Sequence, residues 1–427
     1  MNRRLADTII RYLSFSEKID DGSDSPGRFS VKQWERTYRW LDQMDLEFYL
    51  LQKLRDTQDD RKLPPAVLSR LQQSYSNNCA RVDEMASQFA IVNEKFRESG
   101  VRYAVVKGYS LVPEFCPNAA LRQQSDLDYL IEEQSVPVAR QALEHVGFAV
   151  KKYKPAAGEW IFCKAPISRS TDSDDQYGGK AYVIELQLSI WRPDEHGIHL
   201  ADAPFSPTRT VDHEWRGMRF PVLYEEDAFL LQILHVFQHL LSGDVRMRWL
   251  YEIAYYLRRR SNDASFWQRV ERRTEADALL PHFVAIITEL AAQFFHAPLP
   301  PIIRTWKADL RPSVKVWLEN YGWRLPFEKV PIYELGIFPT SKLVLFLHRQ
   351  FLQDDKLRRN LMRQRLLPWS RPVSIVRSIR DKPSALFDSQ ERHRQFMIHR
   401  VIFHTGSGLR YLYEIPRWWW LNRSKPA

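Results

Sequence analysis

Apolar residues recur at helical spacing over residues 5–15 and 32–56, with the polar run Asp20 to Gly27 as a loop between them. Pro64-Pro65 opens another helix, because proline is tolerated in a first turn. Residues 76–98 predict a long amphipathic helix with Met85, Phe89, Val92 and Phe96 on one face, stopping at Gly100. The period then changes. Val101 to Val106 is a short β-branched run ending at Lys107-Gly108. Residues 126–131 form a second strand, 136–146 a helix closed by Gly147, and 148–153 and 159–164 two more strands. After a polar insert, Ser168 to Gly179, residues 181–191 alternate. Tyr182, Ile184, Leu186, Leu188 and Ile190 take one face; Val183, Glu185, Gln187 and Ser189 take the other, as in a half-buried strand. From about residue 225 the pattern is helical, and Glu225, Glu226 and Asp227 open the first helix where its dipole favours negative charge.

This order predicts an α/β (α+β) fold, a small mixed-sheet core flanked by N- and C-terminal helical regions. The expected boundaries are a helical region at 1–84, the core at 85–224, a helical domain at 225–310 and a basic, mainly helical region at 311–427.

Composition narrows the class. At 44% hydrophobic and 27% charged, the 427 residues are globular rather than disordered. No apolar run approaches the roughly 18–20 residues of a membrane span, and the basic N-terminus is not followed by a signal-type apolar stretch. A cytoplasmic protein is the expectation, with Cys79, Cys116 and Cys163 reduced. The net charge of +10 is unevenly placed. Residues 356–427 hold 16 of the 62 Lys and Arg but 4 of the 52 Asp and Glu, leaving residues 1–355 at −2. The C-terminal segment can attract an anionic partner or a membrane surface, which would place the protein peripheral to the inner membrane face; the alternative is a solvated basic surface.

Three acids stand out. Asp126 and Asp128 sit at i and i+2 of a strand, so they share a face with Cα atoms roughly 6.5–7 Å apart. Two carboxylates converging to about 5 Å repel by roughly 3 kcal/mol at an effective dielectric near 20. A divalent cation between them turns that cost into attraction, and Mg²⁺ prefers hard oxygen ligands. Glu185 is a third acid on the polar face of the alternating strand. Such a set suits in-line phosphoryl or nucleotidyl transfer; the competing reading is an exposed edge strand. Upstream, Val105-Val106-Lys107-Gly108-Tyr109-Ser110-Leu111 reads as strand, glycine turn and helix start, a geometry that offers N–H groups to phosphate. Lys107 would add a point charge.

Lys107-Gly108, Arg122-Gln123-Gln124-Ser125-Asp126-Leu127-Asp128 and Gly147-Phe148, followed by Val183-Ile184-Glu185, resemble the uncharacterised nucleotidyltransferase family of the polymerase-β-like superfamily. Residues 221–239, 248–254 and 294–300 are also similar to it, so the likeness covers about 30–310. It implies a nucleotidyltransferase that moves a nucleoside monophosphate from an NTP to a hydroxyl or phosphate acceptor. Mg²⁺ would be held by Asp126, Asp128 and Glu185, with Glu185 as third ligand or base. Gly108 and Ser110, with Lys107 nearby, would hold the triphosphate. Arg122 would contact phosphate, orient the carboxylates, or pair with Asp126. The acceptor, whether small molecule, glycan, peptide, protein or RNA, is left open. Three departures are visible. Tyr109 follows the glycine where Gly or Ser is usual in the wider superfamily, Gln187 stands where His is frequent in the family, and Glu252 replaces a common Asp. The alternatives are an inactive interaction protein on the same fold and a peripheral membrane protein acting through its C-terminus.

Lesser signals have plain readings. His235 and His239 share a helix face but lack a zinc pattern, and read as a buried polar pair. Arg248 and Glu252 read as an intrahelical ion pair. Asp172-Ser173-Asp174-Asp175 reads as an acidic loop. Trp418-Trp419-Trp420, beside Arg417 and Arg423, suits a membrane interface, base stacking or docking onto the core.

Overall fold

The computed structural model describes residues 1–15, 25–155, 158–165, 181–201, 205–327, 342–366 and 386–423. Asp20 to Asp24 of the polar loop, and the insert Ser168 to Gly179 with its acidic run, lie outside the described residues. The chain divides into two compact units. One comprises Met1–Glu195, His199–His235 and Arg246–Ala308; the other comprises His196–Ile198, Val236–Val245 and Asp309–Ala427.

The fold class is the mixed α/β one expected, and its sheet belongs to the first unit. The strands are β1 (Tyr103–Val105), β2 (Leu127–Ile131), β3 (Ala149–Lys154), β4 (Glu159–Lys164), β5 (Tyr182–Gln187), β6 (Thr210–Trp215) and β7 (Met218–Leu223). Among the described residues they form one sheet in the order β3-β4-β5-β2-β1-β7-β6. β2 runs parallel to β5 and β1 parallel to β7, and the other neighbours are antiparallel.

Helix α1 (Arg3–Leu13) fills the expected first segment, with Asn2 capping it through the Leu5 N–H. The next pattern, 32–56, is two helices rather than one, α2 (Val31–Met44) and α3 (Glu47–Asp56), because Asp45 turns left-handed at φ +54°. Its carboxylate is held there by Arg246 at 2.6 Å and Arg248 at 3.4 Å. Helix α4 (Pro65–Glu98) is continuous from the proline pair through the predicted 76–98 segment.

The apolar faces of the strands explain the packing. With α5 (Val136–His145), helix α4 covers Val105, Tyr129, Ile184, Leu186 and Phe220. Phe96 meets Tyr103 and Tyr129 edge-on at centroid distances of 5.2 and 5.3 Å. Within this apolar layer Asn93 accepts from the Tyr103 hydroxyl at 2.7 Å and donates to the Phe89 carbonyl at 2.7 Å, so the buried amide is satisfied.

Two further details differ from expectation. The alternating 181–191 run stops at Gln187; beyond it, the Leu188 N–H bonds the Gly158 carbonyl and Ser189 turns back on Trp191. A single helical turn, α6 (Pro193–His196), comes next. The β6–β7 hairpin was not expected. Its signal is Arg216-Gly217, both at positive φ (+50° and +75°), the two-residue turn that matches strand twist.

Helices α7 (Glu225–Ser242), α8 (Met247–Arg260), α9 (Ala264–Thr274) and α10 (Leu280–Phe295) continue the chain, as the sequence pattern predicts. In the first unit, Tyr251 of α8 packs between Tyr49 of α3 (4.6 Å) and Phe295 of α10 (5.2 Å). The second unit is built from α11 (Pro312–Asn320), α12 (Val344–His348), α13 (Asp355–Leu366) and α14 (Leu386–Arg423), with Trp317, Tyr321, Phe346 and Tyr411 in its core. Cys79, Cys116 and Cys163 form no disulfide. No helix of the described residues is long and apolar enough to cross a membrane.

His348, fully buried in the second unit, donates from Nε2 to the His196 carbonyl at 2.7 Å, and burial holds its imidazole down to about 4. The unfolded chain takes up that proton first, so the contribution present above pH 6.5 is lost as the pH falls toward 4. Urea unfolding should show wild type losing about 1–2 kcal/mol more than His348→Gln between about pH 7 and 5. Identical pH dependence in the two proteins would acquit the imidazole.

Candidate functional site

The sheet face opposite α4 carries the polar residues of β2 and β5. Asp128 is in register with Glu185 across the parallel pair, and Leu130 with Gln187. Paired residues share a face, so the i, i+2 spacing on β5 sets Glu185 and Gln187 beside Asp128. Asp126 immediately precedes β2 rather than lying within it. Asp128 is 4% exposed.

Charge at this face is only partly balanced. Lys107 donates from Nζ to Asp128 Oδ1 at 2.8 Å. Gln187 donates from Nε2 to the same oxygen at 3.0 Å and to Glu185 Oε2 at 3.1 Å. Burial, then the charges of Asp128 and Asp126, push the Glu185 carboxyl up to about 7. The Asp126 carboxyl is likewise raised by burial and by Asp128. Burial opposes the charge on Lys107, but Asp128, Asp126 and Glu185 outweigh it and hold the ammonium above its ordinary range. Neither Lys107 nor the Gln187 amide therefore cancels the negative charge of the cluster.

The donor set fits a hard divalent cation in kind, being three carboxylates whose mutual repulsion a cation would relieve. Among the described residues, no three His, Cys, Asp or Glu side chains stand in a ready ligating array. Asp128 Oδ1 is already engaged by two nitrogen donors, so an ion would share Asp128 with Lys107 and Gln187.

The Lys107-Gly108 turn is built by its backbone. Gly108 has φ +62°, and a Cβ there would lie 2.6 Å from Gln124 Nε2. Gln124 in turn donates to the Asp126 carbonyl. The expected α-helix after the turn is replaced by a single 3₁₀ turn, Gly108–Leu111. Pro113 forces the preceding Val112 into extended backbone (φ −95°, ψ 133°) and stops propagation. Ser110 stays inside the turn, donating to the Lys107 carbonyl at 3.2 Å. Tyr109 points away into the core, stacked on Trp215 at 4.1 Å with its hydroxyl on the Val82 carbonyl.

Arg122 meets neither Asp126 nor open solvent. It is 6% exposed and donates from Nε to Glu252 Oε1 at 2.7 Å and from Nη1 to the Gly108 carbonyl at 3.1 Å. Glu252 also accepts from the Tyr49 hydroxyl at 2.9 Å, and Asn78 of α4 holds the Arg122 carbonyl at 2.9 Å. The expected Arg248–Glu252 pair is thus replaced by two longer-range pairs, since Arg248 goes to Asp45. Both residues lie on one face of α8, and the positive charge of Arg248 acts on Asp126.

Two participants were not identified as such from sequence. Arg248 was hidden by its i, i+4 acid. Glu159, 1% exposed and opposite Gln187 in the sheet, is paired with Lys154 at 2.7 Å and Arg192 at 2.7 Å; only its place on a short strand hints at it. His235 packs edge-on to Trp249 at 4.9 Å, and His239 Nδ1 lies 3.1 Å from Asp244 Oδ1.

The model of a family described as uncharacterised nucleotidyltransferase matches residues 30–296, more than half of the chain. Among solved structures, an antigenic nucleotidyltransferase-like protein from Paracoccidioides brasiliensis is similar at 11% identity and a TM-score of 0.30, over 51% of this chain and 94% of that one. No curated protein matches.

Removing one partner of a buried ion pair strands the other charge, at about 3–5 kcal/mol. Arg122→Met and Glu252→Met should each cost that much in urea unfolding, and the double variant far less than their sum. Additive losses would show that the two charges are uncoupled.

Proposed function

The chain belongs to the uncharacterised nucleotidyltransferase family, and on that premise we propose that it moves a nucleoside monophosphate from an NTP to a hydroxyl or phosphate acceptor. Pyrophosphate is the leaving group. The observation that carries this reading is the Asp128–Glu185 register pair, with Asp126 at the strand entrance and Lys107 donating into the cluster.

The residues divide the work by chemistry. Asp126 and Asp128 would hold Mg²⁺, with Glu185 as third ligand or as base, and the ion when bound supplies Lewis-acid polarisation of phosphoryl oxygens. Lys107 offers a compact positive charge at the edge of the cluster, and the Gly108–Ser110 turn that follows it would offer main-chain N–H groups to the triphosphate, that of Ser110 on leaving the Lys107 carbonyl. If Glu185 is left off the ion, its carboxyl, raised by burial and by the charges of Asp128 and Asp126, would instead serve as the base for an acceptor hydroxyl. The acceptor oxygen then bonds the α-phosphorus as the bond to the pyrophosphate oxygen breaks. Arg122 holds the turn from behind as a positioning residue.

Arg248 is assigned as a cation for the phosphate chain. It shares the single carboxylate of Asp45 with Arg246, and its buried Nε makes no hydrogen bond among the described residues. Its charge already acts on Asp126. A phosphate oxygen would satisfy the unused N–H and the surplus charge together.

One observation favours a second reading, a nucleotidyltransferase fold without turnover: Lys107 and Gln187 between them already satisfy Asp128 Oδ1. Nucleotide binding with no transfer across a broad acceptor screen would support it.

Incubation of the protein with each α-labelled NTP, Mg²⁺ and a cell extract should yield a labelled product. Asp126→Asn and Asp128→Asn should each lower transfer by about a hundredfold or more while the proteins stay folded. Arg248→Gln should weaken NTP binding about tenfold by calorimetry. A folded wild-type protein that binds no NTP with Mg²⁺ would sink the proposal, and fully active Asp variants would sink the carboxylate assignment.

A further inference from the structure

The carboxylate site leaves the C-terminal helix α14 without a role. Within the second unit one face of this helix is docked. Tyr411 stacks on Phe346 at 4.6 Å and Trp418 on the same ring at 4.7 Å. Glu414, between them, accepts from the Tyr321 hydroxyl at 3.2 Å and from Arg324 at 2.9 Å, and Lys342 donates to the His404 carbonyl at 2.8 Å. Positions 404, 407, 411, 414 and 418 therefore form the inner seam, at three- and four-residue steps.

The helical period carries a second apolar stripe onto the far side. Val401, Ile402, Leu409, Leu412, Tyr413 and Trp419 are between 56% and 82% exposed. The same period puts Arg410 and Arg417 two turns apart along one flank of that stripe, and Arg423 lies over the Trp419 ring at 3.3 Å. Residues 398–423 hold four arginines and one acid, Glu414, which is buried on the docked side. Among the described residues the exposed side is thus apolar and aromatic with only basic charges, Arg417 also reaching Glu414 Oε2 at 3.6 Å from its flank.

We propose that this face of α14 lies on an anionic lipid surface, with the Leu409–Leu412–Tyr413–Trp419 stripe in the acyl boundary and Arg410, Arg417 and Arg423 at the headgroups. Scattered surface apolar residues are ordinary, but a contiguous stripe this exposed is a contact face. Charge selects the occupant. A second copy would bring the same arginine row against its own, whereas anionic headgroups neutralise it. With no helix of the described residues able to span a bilayer, the helix lies in the interface plane. The inference is independent of the nucleotidyl-transfer reading.

The test is co-sedimentation of the full chain with sucrose-loaded vesicles of phosphatidylcholine alone or with about one quarter phosphatidylglycerol. Wild type should partition to the anionic vesicles, less so as salt rises. Leu409→Asp with Leu412→Asp should lower partitioning about tenfold, and Arg410→Gln with Arg417→Gln should lower it about tenfold on anionic vesicles. These side chains are exposed, so circular dichroism should be unchanged. Asp128→Asn should bind vesicles as wild type does. Absence of binding to anionic vesicles overturns the proposal, as does equal binding by the variants. A concentration-dependent doubling of mass that Leu412→Asp abolishes, without vesicle binding, assigns the face to a second copy instead.

Discussion

The buried pair between Arg122 and Glu252 is the interaction on which the candidate site depends. Arg122 spans from α8 to the carbonyl of Gly108, and Glu252 binds Tyr49 of α3 as well. Asn78 adds α4 by gripping the Arg122 main chain. Four stretches distant in sequence are thus fixed to one another through two charges that have almost no access to water. Desolvating both is expensive, and such pairs seldom add net stability over an apolar packing. What the arrangement provides is direction: a planar, five-donor guanidinium holds the turn carbonyl at one orientation, and Lys107 leaves that turn toward Asp128.

Once the turn is fixed, the sheet register determines the rest. A slip of one residue between β2 and β5 would send Glu185 to the α4 side and Leu186 to the polar side. The aromatic layer formed by Phe89, Phe96, Tyr103 and Tyr129 forbids that slip, because each of these rings already fills the core. Hydrophobic packing on one face therefore enforces a close approach of acids on the other. The raised carboxyls of Asp126 and Glu185 are the cost of this enforcement.

The sequence reveals those parts of this arrangement that depend on local period. The alternation from Tyr182 to Gln187 and the Asp126–Asp128 spacing both assign faces without tertiary information, and the structure places Asp128, Glu185 and Gln187 side by side. Partner choice is not local. An i, i+4 Arg248–Glu252 pair is plausible on any helix, yet each residue goes to a buried partner more than a hundred residues away in the chain. Arg122 is ambiguous for the same reason: a guanidinium before an Asp-x-Asp strand can serve phosphate, carboxylate or carbonyl, and only the packing of α8 decides. The β6–β7 hairpin was readable in principle from Arg216-Gly217, but Pro221 in the second strand masks its alternation.

The departures from the pattern of the family and its wider superfamily are accommodated by what surrounds them. Tyr109 occupies a position where a small residue is usual, and its ring turns inward onto Trp215 and Phe89, leaving the main-chain turn unobstructed. Glu252 is one methylene longer than the common aspartate, and its Oε1 accepts from Arg122 and Tyr49 together. Gln187 is the most informative of the three. A histidine there would titrate near neutral pH and exchange donor for acceptor. The amide has two permanent N–H donors, and it uses them on Asp128 and Glu185 at once. Its contribution to the cluster is therefore constant with pH, and it has no basic lone pair with which to take a proton. On the proposed reading, proton abstraction on this sheet face would then fall to a carboxylate rather than to position 187.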